Sequence, residues 1–118
     1  MTDKTKLIAQ QNDQCRQMVQ MPVFGEPVVS CKIMLTEGIS SLSPEDQILV
    51  CAKVRQFDDF SEHNNPYGER DFGALDHKGN KIFWKIDYYD PSLKWGSDDP
   101  SDLSKTVRVL TIMLASEY

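Results

Sequence analysis

Two carboxylates on either side of an arginine are the clearest candidates for chemistry in this sequence. Glu69 and Asp71 flank Arg70, and His63 lies six residues before Glu69. Carboxylates with different pKa values, or a histidine beside a carboxylate, perform acid–base catalysis. The chain contains no HExxH, GxSxG or glycine-rich phosphate-binding motif. His63, Glu69 and Asp71 remain candidates for hydrolase-type catalysis. Two carboxylates and one histidine could also hold a divalent metal, but without such a motif we expect no metal and no cofactor.

Acidic and aromatic residues concentrate in one part of the chain. Residues 58–102 hold 11 of the 18 acidic residues, only five of the 13 basic residues and eight of the 11 aromatic residues. Aromatic side chains anchor protein interfaces, and acids around them select a basic partner. The sequence thus predicts a binding face, with these candidates: Asn64, Pro66, Tyr67, Glu69, Arg70, Asp71, Asp87, Tyr89, Asp90 and Trp95.

A purely structural role competes with each of these hypotheses. In that interpretation Asn64 and Pro66 set a turn, Gly68 supplies a positive φ, and the neighbouring acids bind backbone amides. Trp84 and Tyr88 likewise suit the core of a sheet as well as a binding surface.

Composition narrows the classes of protein. The chain has 118 residues and a net charge of −5, which suits one domain, residues 1–118, and argues against direct binding of nucleic acid through its phosphates. It has no apolar run of 18 residues, and its polar start is unlike a signal peptide. Three cysteines without a CxxC pair predict reduced thiols in a cytoplasmic protein. A homo-oligomer is left open.

Hydrophobic periodicity and capping residues predict the elements that position these candidates. Alternation indicates strands, and Ser-Pro-Glu-Asp at 43–46 and Asp-Pro-Ser-Asp at 99–102 both indicate helix starts. The expected order is α-β-α-β-β-α: helix 3–19, strand 28–36, helix 43–57, hairpin arms 71–76 and 81–89, and helix 100–116. We therefore expect an α+β fold with a short, mainly antiparallel sheet packed with helices.

The hairpin makes a further prediction about the candidate face. Antiparallel pairing across the turn 77–80 sets residues near position 71 opposite positions 86–88. We therefore expect Glu69, Asp71, Asp87 and Asp90 in one neighbourhood. Either Arg70, Lys85 or backbone donors keep these acids charged, or one of them takes up a proton.

Several longer motifs carry a resemblance to a known family. They are Asn12, Asp13 and Arg16; Asn64, Pro66, Gly68, Glu69, Asp71, Phe72 and Gly73; the block Lys-Ile-Asp-Tyr-Tyr-Asp at 85–90; Gly96, Ser97, Asp99, Pro100 and Asp102; and residues 106–118. On these motifs the chain resembles a family of short bacterial proteins, classed only as a domain of unknown function and associated with plasmids and mobile elements. It departs from that pattern at Asn65, where the family prefers Asp, and at Arg70, where it prefers His.

The resemblance implies a context, not an activity. Proteins of mobile elements often counter host defence, and an acidic surface can occupy a site meant for nucleic-acid phosphates. An anti-defence inhibitor, of the anti-CRISPR kind, is therefore the alternative to a general binding protein, and a hydrolase is the third hypothesis.

Overall fold

The computed structural model describes residues 2–22, 25, 28–61 and 65–118. His63 and Asn64, two of the predicted site residues, lie outside these ranges. The helices are α1 (Asp3–Gln17), α2 (Glu37–Ser40) and α3 (Pro44–Gln56), and the strands are β1 (Cys31–Leu35), β2 (Phe72–His77), β3 (Asn80–Tyr89) and β4 (Val107–Leu114). Short 3-10 turns lie on either side of β4, at Leu103–Lys105 and Ala115–Glu117.

The four strands form one mixed sheet in the order β1-β4-β3-β2. The pairs β2–β3 and β3–β4 are antiparallel, and β1–β4 is parallel. The predicted α+β class is confirmed, whereas the predicted order of elements is wrong at its end. The parallel pair was not expected; the chain from α2 to the hairpin forms the long connection that parallel strands require.

The hairpin matches the prediction closely. A two-residue turn joins β2 to β3, and both of its residues, Lys78 and Gly79, have positive φ, at 50° and 82°. Two positive φ values define the turn type whose twist matches that of paired strands. The register places Gly73 opposite Trp84.

The last predicted helix is a strand, and this is the main correction to the fold. Residues 107–114 are apolar at almost every position, so spacings of three and four and a spacing of two both fit the pattern. The segment is rich in β-branched residues, which favour strands. The Asp-Pro-Ser-Asp signal starts no α-helix: Asp102 caps only the 3-10 turn, by accepting a hydrogen bond from the amide of Ser104 at 2.9 Å.

The helix start at Ser43 is confirmed. Its hydroxyl accepts a hydrogen bond from the amide of Asp46 at 3.1 Å, and Pro44 occupies the first turn. Two nearby expectations are wrong. The pair Glu37-Gly38 is typical of a turn after the first strand, but these residues lie in the short helix α2. Apolar residues on most sides of helix 43–57 predict that it lies largely inside, whereas Ile48 is 56% exposed.

The cysteines differ from the prediction of three reduced thiols. Cys15 of α1 and Cys31 of β1 form a disulfide with their Cα atoms 5.5 Å apart. Cys51 in α3 is a free, buried thiol. The disulfide closes the connection between α1 and β1, which restricts the unfolded chain.

The sheet has one buried face and one more open face. Trp84 and Ile112 lie at the centre of the buried face, packed with Val50 and Val54 of α3 and Cys15 of α1. The opposite face carries alternate residues, including Phe83 and Lys85 of β3 and Phe72 of β2. The alternation of β3 predicts which residues share a face. Aromatic residues at both sets of positions also predict a central strand covered on both sides, but one side of the sheet is more open.

Gly73 lies against the rings of Trp84 and Phe57, with no room for a larger side chain. A Cβ added at Gly73 would lie 2.2 Å from Nε1 of Trp84 and 2.8 Å from Cε1 of Phe57. We expect Gly73→Ala to lower the free energy of unfolding by about 1–3 kcal/mol, because rigid rings must move to admit the methyl group. Gly96→Ala is the matched control, since the nearest atom to its Cβ is 3.9 Å away. Urea denaturation measures both, and equal stability of the two variants contradicts the packing described.

Candidate functional site

The loop before β2 is built by its own backbone geometry. The side-chain oxygen of Asn65 accepts a hydrogen bond from the amide of Arg70 at 2.8 Å, and its carbonyl accepts one from Gly68 at 3.1 Å. Gly68 has φ +73°, which confirms the predicted role of this glycine. The loop turns Pro66 and Tyr67 toward one groove and Arg70 toward another.

Arg70 faces α1 and not the candidate face. Its Nε lies 3.2 Å from Oδ1 of Asp13, and its guanidinium stacks 4.2 Å above the ring of Phe60. There it lines a groove of about 360 Å³ against α1. Of the groups expected to neutralise the acids of the predicted face, Arg70 is therefore not one.

Three of the four predicted acids come together. The carbonyl of Asp71 accepts a hydrogen bond from the amide of Ile86 at 2.8 Å, as the hairpin register requires. Burial raises the pKa of the Asp71 carboxyl, and the charges of Glu69 and Asp87 raise it further. Lys85 pairs with Asp87 at 2.9 Å. Among the described residues, no basic side chain forms an ion pair with Asp71.

Asp71 and Asp87 line a groove of about 440 Å³ on the open side of the sheet, and Glu69 lies outside its lining. Its lining combines charged groups with rings and other apolar groups: Pro66, Tyr67, Asp71, Phe72, Lys85, Ile86, Asp87 and Tyr118. We call it the aromatic groove. Tyr67 is 80% exposed and Tyr118 is 76% exposed. Exposed tyrosines beside a half-buried carboxylate give the groove both apolar contact area and negative charge.

Asp90, Tyr89 and Trp95 lie outside the lining of the aromatic groove. The carboxylate of Asp90 accepts hydrogen bonds from the hydroxyl of Ser92 at 2.8 Å and the amide of Lys94 at 3.2 Å, and the first of these is the main cause of its lowered pKa. Asp90 thus stabilises its own loop. Trp95 is 73% exposed on that loop, and Tyr89 pairs with Gly96 beside it. The single predicted face is therefore divided between the groove and this loop.

Sequence reasoning missed Tyr118 as part of the groove. Its ring lies 5.6 Å from that of Phe83 and 6.3 Å from that of Phe72, both edge-on. The preceding residue, Glu117, accepts hydrogen bonds from the hydroxyl of Thr36 at 2.6 Å and the amide of Gly38 at 2.9 Å. These bonds lower the pKa of Glu117 and fix the chain beside the groove. Because the sequence predicts a helix over residues 100–116, it offers no reason to place Tyr118 beside Phe72 and Phe83.

A buried polar network supports the loop from below. Arg108, fully buried on β4, donates to the side-chain oxygen of Asn12 at 2.7 Å. Asn12 donates to the hydroxyl of Tyr88 at 2.8 Å and to the carbonyl of Glu69 at 2.9 Å. The Tyr88 hydroxyl donates to the Glu69 carboxylate at 2.8 Å, and burial raises the pKa of Tyr88, so it keeps its proton. The network connects α1, β3 and β4 to Glu69, and so holds the loop just before Asp71 in place.

The predicted catalytic set is only partly visible. Glu69 and Asp71 are neighbours, and His63 lies outside the described residues. Within the described ranges, no group of three or more His, Cys, Asp or Glu residues is arranged to hold a metal ion. In the same ranges, no helix has the length and apolar character needed to cross a bilayer.

Comparison with known proteins places the chain in a family. The family model described as "Protein of unknown function (DUF3768)" matches residues 35–117, from the end of β1 to the residue before Tyr118. No curated protein and no solved structure matches the chain. The match covers more than half of the chain and includes all of β2, β3 and β4. The chain therefore belongs to the DUF3768 family.

Proposed function

We propose that this protein binds a basic macromolecular partner through the aromatic groove. The observation that carries the proposal is the half-buried Asp71 carboxylate, which has no basic partner among the described residues and lies in a groove with two exposed tyrosines. A charge held in this way is stabilised by a cation from outside.

The apolar part of the groove supports the same proposal. Tyr67 and Tyr118 expose most of their surface to water, although large rings gain free energy when they are buried. Tyrosine is enriched among the residues that dominate binding energy at protein interfaces. A partner that covers both rings buries apolar area around the charged centre, which is the common anatomy of an interface.

The expected origin of the protein, a bacterial mobile element, suggests what kind of partner it binds. A cytoplasmic protein of a bacterial mobile element that binds a basic surface can block a nucleoprotein at its phosphate-binding site, which is the anti-defence alternative. Disulfides are rare in cytoplasmic proteins. A cytoplasmic location therefore requires that the Cys15–Cys31 disulfide resists reduction there.

Catalysis is the second candidate, and the raised pKa of Asp71 beside Glu69 favours it. A carboxyl group with a raised pKa beside a second carboxyl group is the kind of pair that general acid–base chemistry uses. Glu69 is engaged by the Tyr88 hydroxyl, however, which restrains its carboxylate. Binding therefore explains the groove more fully, because it also uses the two exposed tyrosines.

The test is an affinity capture from bacterial lysate, followed by binding measurements with the captured protein. We expect the double variant Tyr67→Ala/Tyr118→Ala to bind at least tenfold more weakly than the natural chain, since truncation removes two anchors. Ile48→Ala is the control, because Ile48 is an exposed apolar residue on α3, away from the groove.

Three outcomes contradict the proposal. One is the capture of no partner, and another is equal binding by the double variant and the natural chain. The third is a loss confined to Trp95→Ala, which would move the interface to the loop after β3.

A further inference from the structure

We infer that the aromatic groove receives an arginine side chain of the partner, with the guanidinium on the Asp71 carboxylate and against the surrounding rings. This inference rests on the proposed function and adds the chemical group that the groove recognises. Neither the family description nor the fold assigns this site.

The charge balance of the groove is the first argument. Elsewhere among the described residues, partly buried carboxylates are satisfied in one of two ways. Asp13, Asp46, Asp87 and Asp99 each lie within 3.2 Å of a lysine or arginine nitrogen. Glu69, Asp90 and Asp102 accept a hydrogen bond from the hydroxyl of another residue. Asp71 is half-buried between two further acids and has no such partner among the described residues. The groove therefore offers a carboxylate whose charge is unmet.

The protein's own arginines supply the second argument. Arg70 and Arg16 both pair with Asp13, at 3.2 and 2.9 Å, and both also stack on aromatic rings. The guanidinium of Arg70 lies 4.2 Å from the Phe60 ring, and that of Arg16 lies 5.3 Å from the same ring. Each guanidinium thus contacts a carboxylate and a ring at once. The aromatic groove has the carboxylate and the rings of this arrangement and lacks the guanidinium.

The shape of the groove favours arginine over lysine. A guanidinium is planar, stacks on rings and donates two parallel hydrogen bonds to one carboxylate, whereas an ammonium is a compact, strongly hydrated charge. Rings of Tyr67, Phe72 and Tyr118 line the groove beside Asp71. A volume of about 440 Å³ is at the lower end of ligand sites, which range over about 300–1,000 Å³. It suits one long side chain together with the backbone that carries it.

The experiment is an NMR titration of the full ¹⁵N-labelled chain with three blocked tripeptides, Gly-Arg-Gly, Gly-citrulline-Gly and Gly-Lys-Gly. Citrulline has nearly the shape of arginine without its charge. We expect saturable shifts of the Tyr67 and Asp71 amides with the arginine peptide, and binding at least tenfold weaker with citrulline. Lysine is expected to bind severalfold more weakly than arginine.

Variants locate the site. Asp71→Asn is expected to weaken the arginine peptide about tenfold, because a charged hydrogen-bond acceptor is lost. Asp76→Asn is the matched control: it removes the same charge from the exposed end of the same strand, where Asp76 pairs with Lys81 at 3.5 Å. We expect it to bind as the natural chain does. The amide spectrum of each variant shows whether it is folded, and the citrulline comparison needs no variant.

Equal binding of arginine and citrulline, equal binding of arginine and lysine, or unchanged binding by Asp71→Asn each overturns the inference. The proposed function has a separate readout. If capture of the partner still depends on Tyr67 and Tyr118 while the arginine peptide fails, the binding face stands and the arginine site does not. If the peptide binds as expected and no macromolecule is captured, the site stands without the proposed function.

Discussion

Arg108→Met is expected to lower the free energy of unfolding by about 2–3 kcal/mol. The guanidinium of Arg108 is fully buried and donates to the side chains of Asn12 at 2.7 Å and Gln11 at 2.8 Å and to the carbonyl of Pro100 at 2.9 Å. Methionine keeps much of the apolar stem but leaves three acceptors without their donor, and a buried polar group without a partner costs about 1–3 kcal/mol. Chemical denaturation of the natural and variant chains measures the difference.

The control is Lys32→Met, which makes a similar change at an exposed position of the neighbouring strand β1. We expect it to change the stability by less than about 0.5 kcal/mol. If Arg108→Met is as stable as Lys32→Met, the buried network is not formed. In the helix predicted over 100–116, Arg108 would tolerate substitution unless it paired with one of the loop acids, and its burial on β4 reverses that expectation.

Leu110→Ala is expected to destabilise the protein by about 2–5 kcal/mol. Leu110 is fully buried on β4, between Ile33 of β1 and Ile86 of β3. Truncation loses the transfer free energy of the side chain and leaves a cavity. Because β4 is hydrogen-bonded to a strand on each side, the backbone cannot move far enough to close that cavity. A leucine buried by the helix predicted over 100–116 would lose the same free energy, because burial and not the type of element determines the loss.

Neighbouring positions separate the strand from the helix first predicted there. In β4 the side chains of Leu110 and Ile112 lie on the buried face, and Val109 lies on the open face. We expect Val109→Ala to cost about 1 kcal/mol or less. Thermal and denaturant unfolding of alanine variants at successive positions of β4 measures the loss of stability at each. In a strand, we expect large and small losses to alternate. Costs that instead follow spacings of three and four would contradict β4.

The two sides of the sheet have different tasks. The buried side holds the core, including Trp84 and the guanidinium of Arg108, and makes the sheet rigid. The open side presents the aromatic groove on that rigid support. Asp87 lies on β3, and Asp71 directly precedes β2 and accepts a backbone hydrogen bond from Ile86 of β3, so backbone hydrogen bonds hold the two residues near each other. A site on such elements is held more precisely than a site on loops alone.

Local signals in the sequence determined α1, α3 and the hairpin. Ser43 and Pro44 mark a helix start by satisfying or removing backbone donors, and Lys78-Gly79 accepts the positive φ values of a tight turn. The hairpin register then follows from the alternation of β3, and with it the closeness of Asp71 and Asp87. These features depend on residues near each other in the chain, which is why the sequence predicts them.

Only the tertiary structure decided the last strand, the disulfide and the complete groove. An apolar run fits a helix or a strand until a neighbouring strand supplies hydrogen bonds, and β1 and β3 supply them on both sides of β4. Arg70 turns to Asp13, a residue far away in the chain, so its position could not be inferred locally. Tyr118 reaches the groove because Glu117 binds Thr36 and Gly38, about 80 residues earlier. Contacts between distant segments carry no local signature, and they determine which charges and rings share the site.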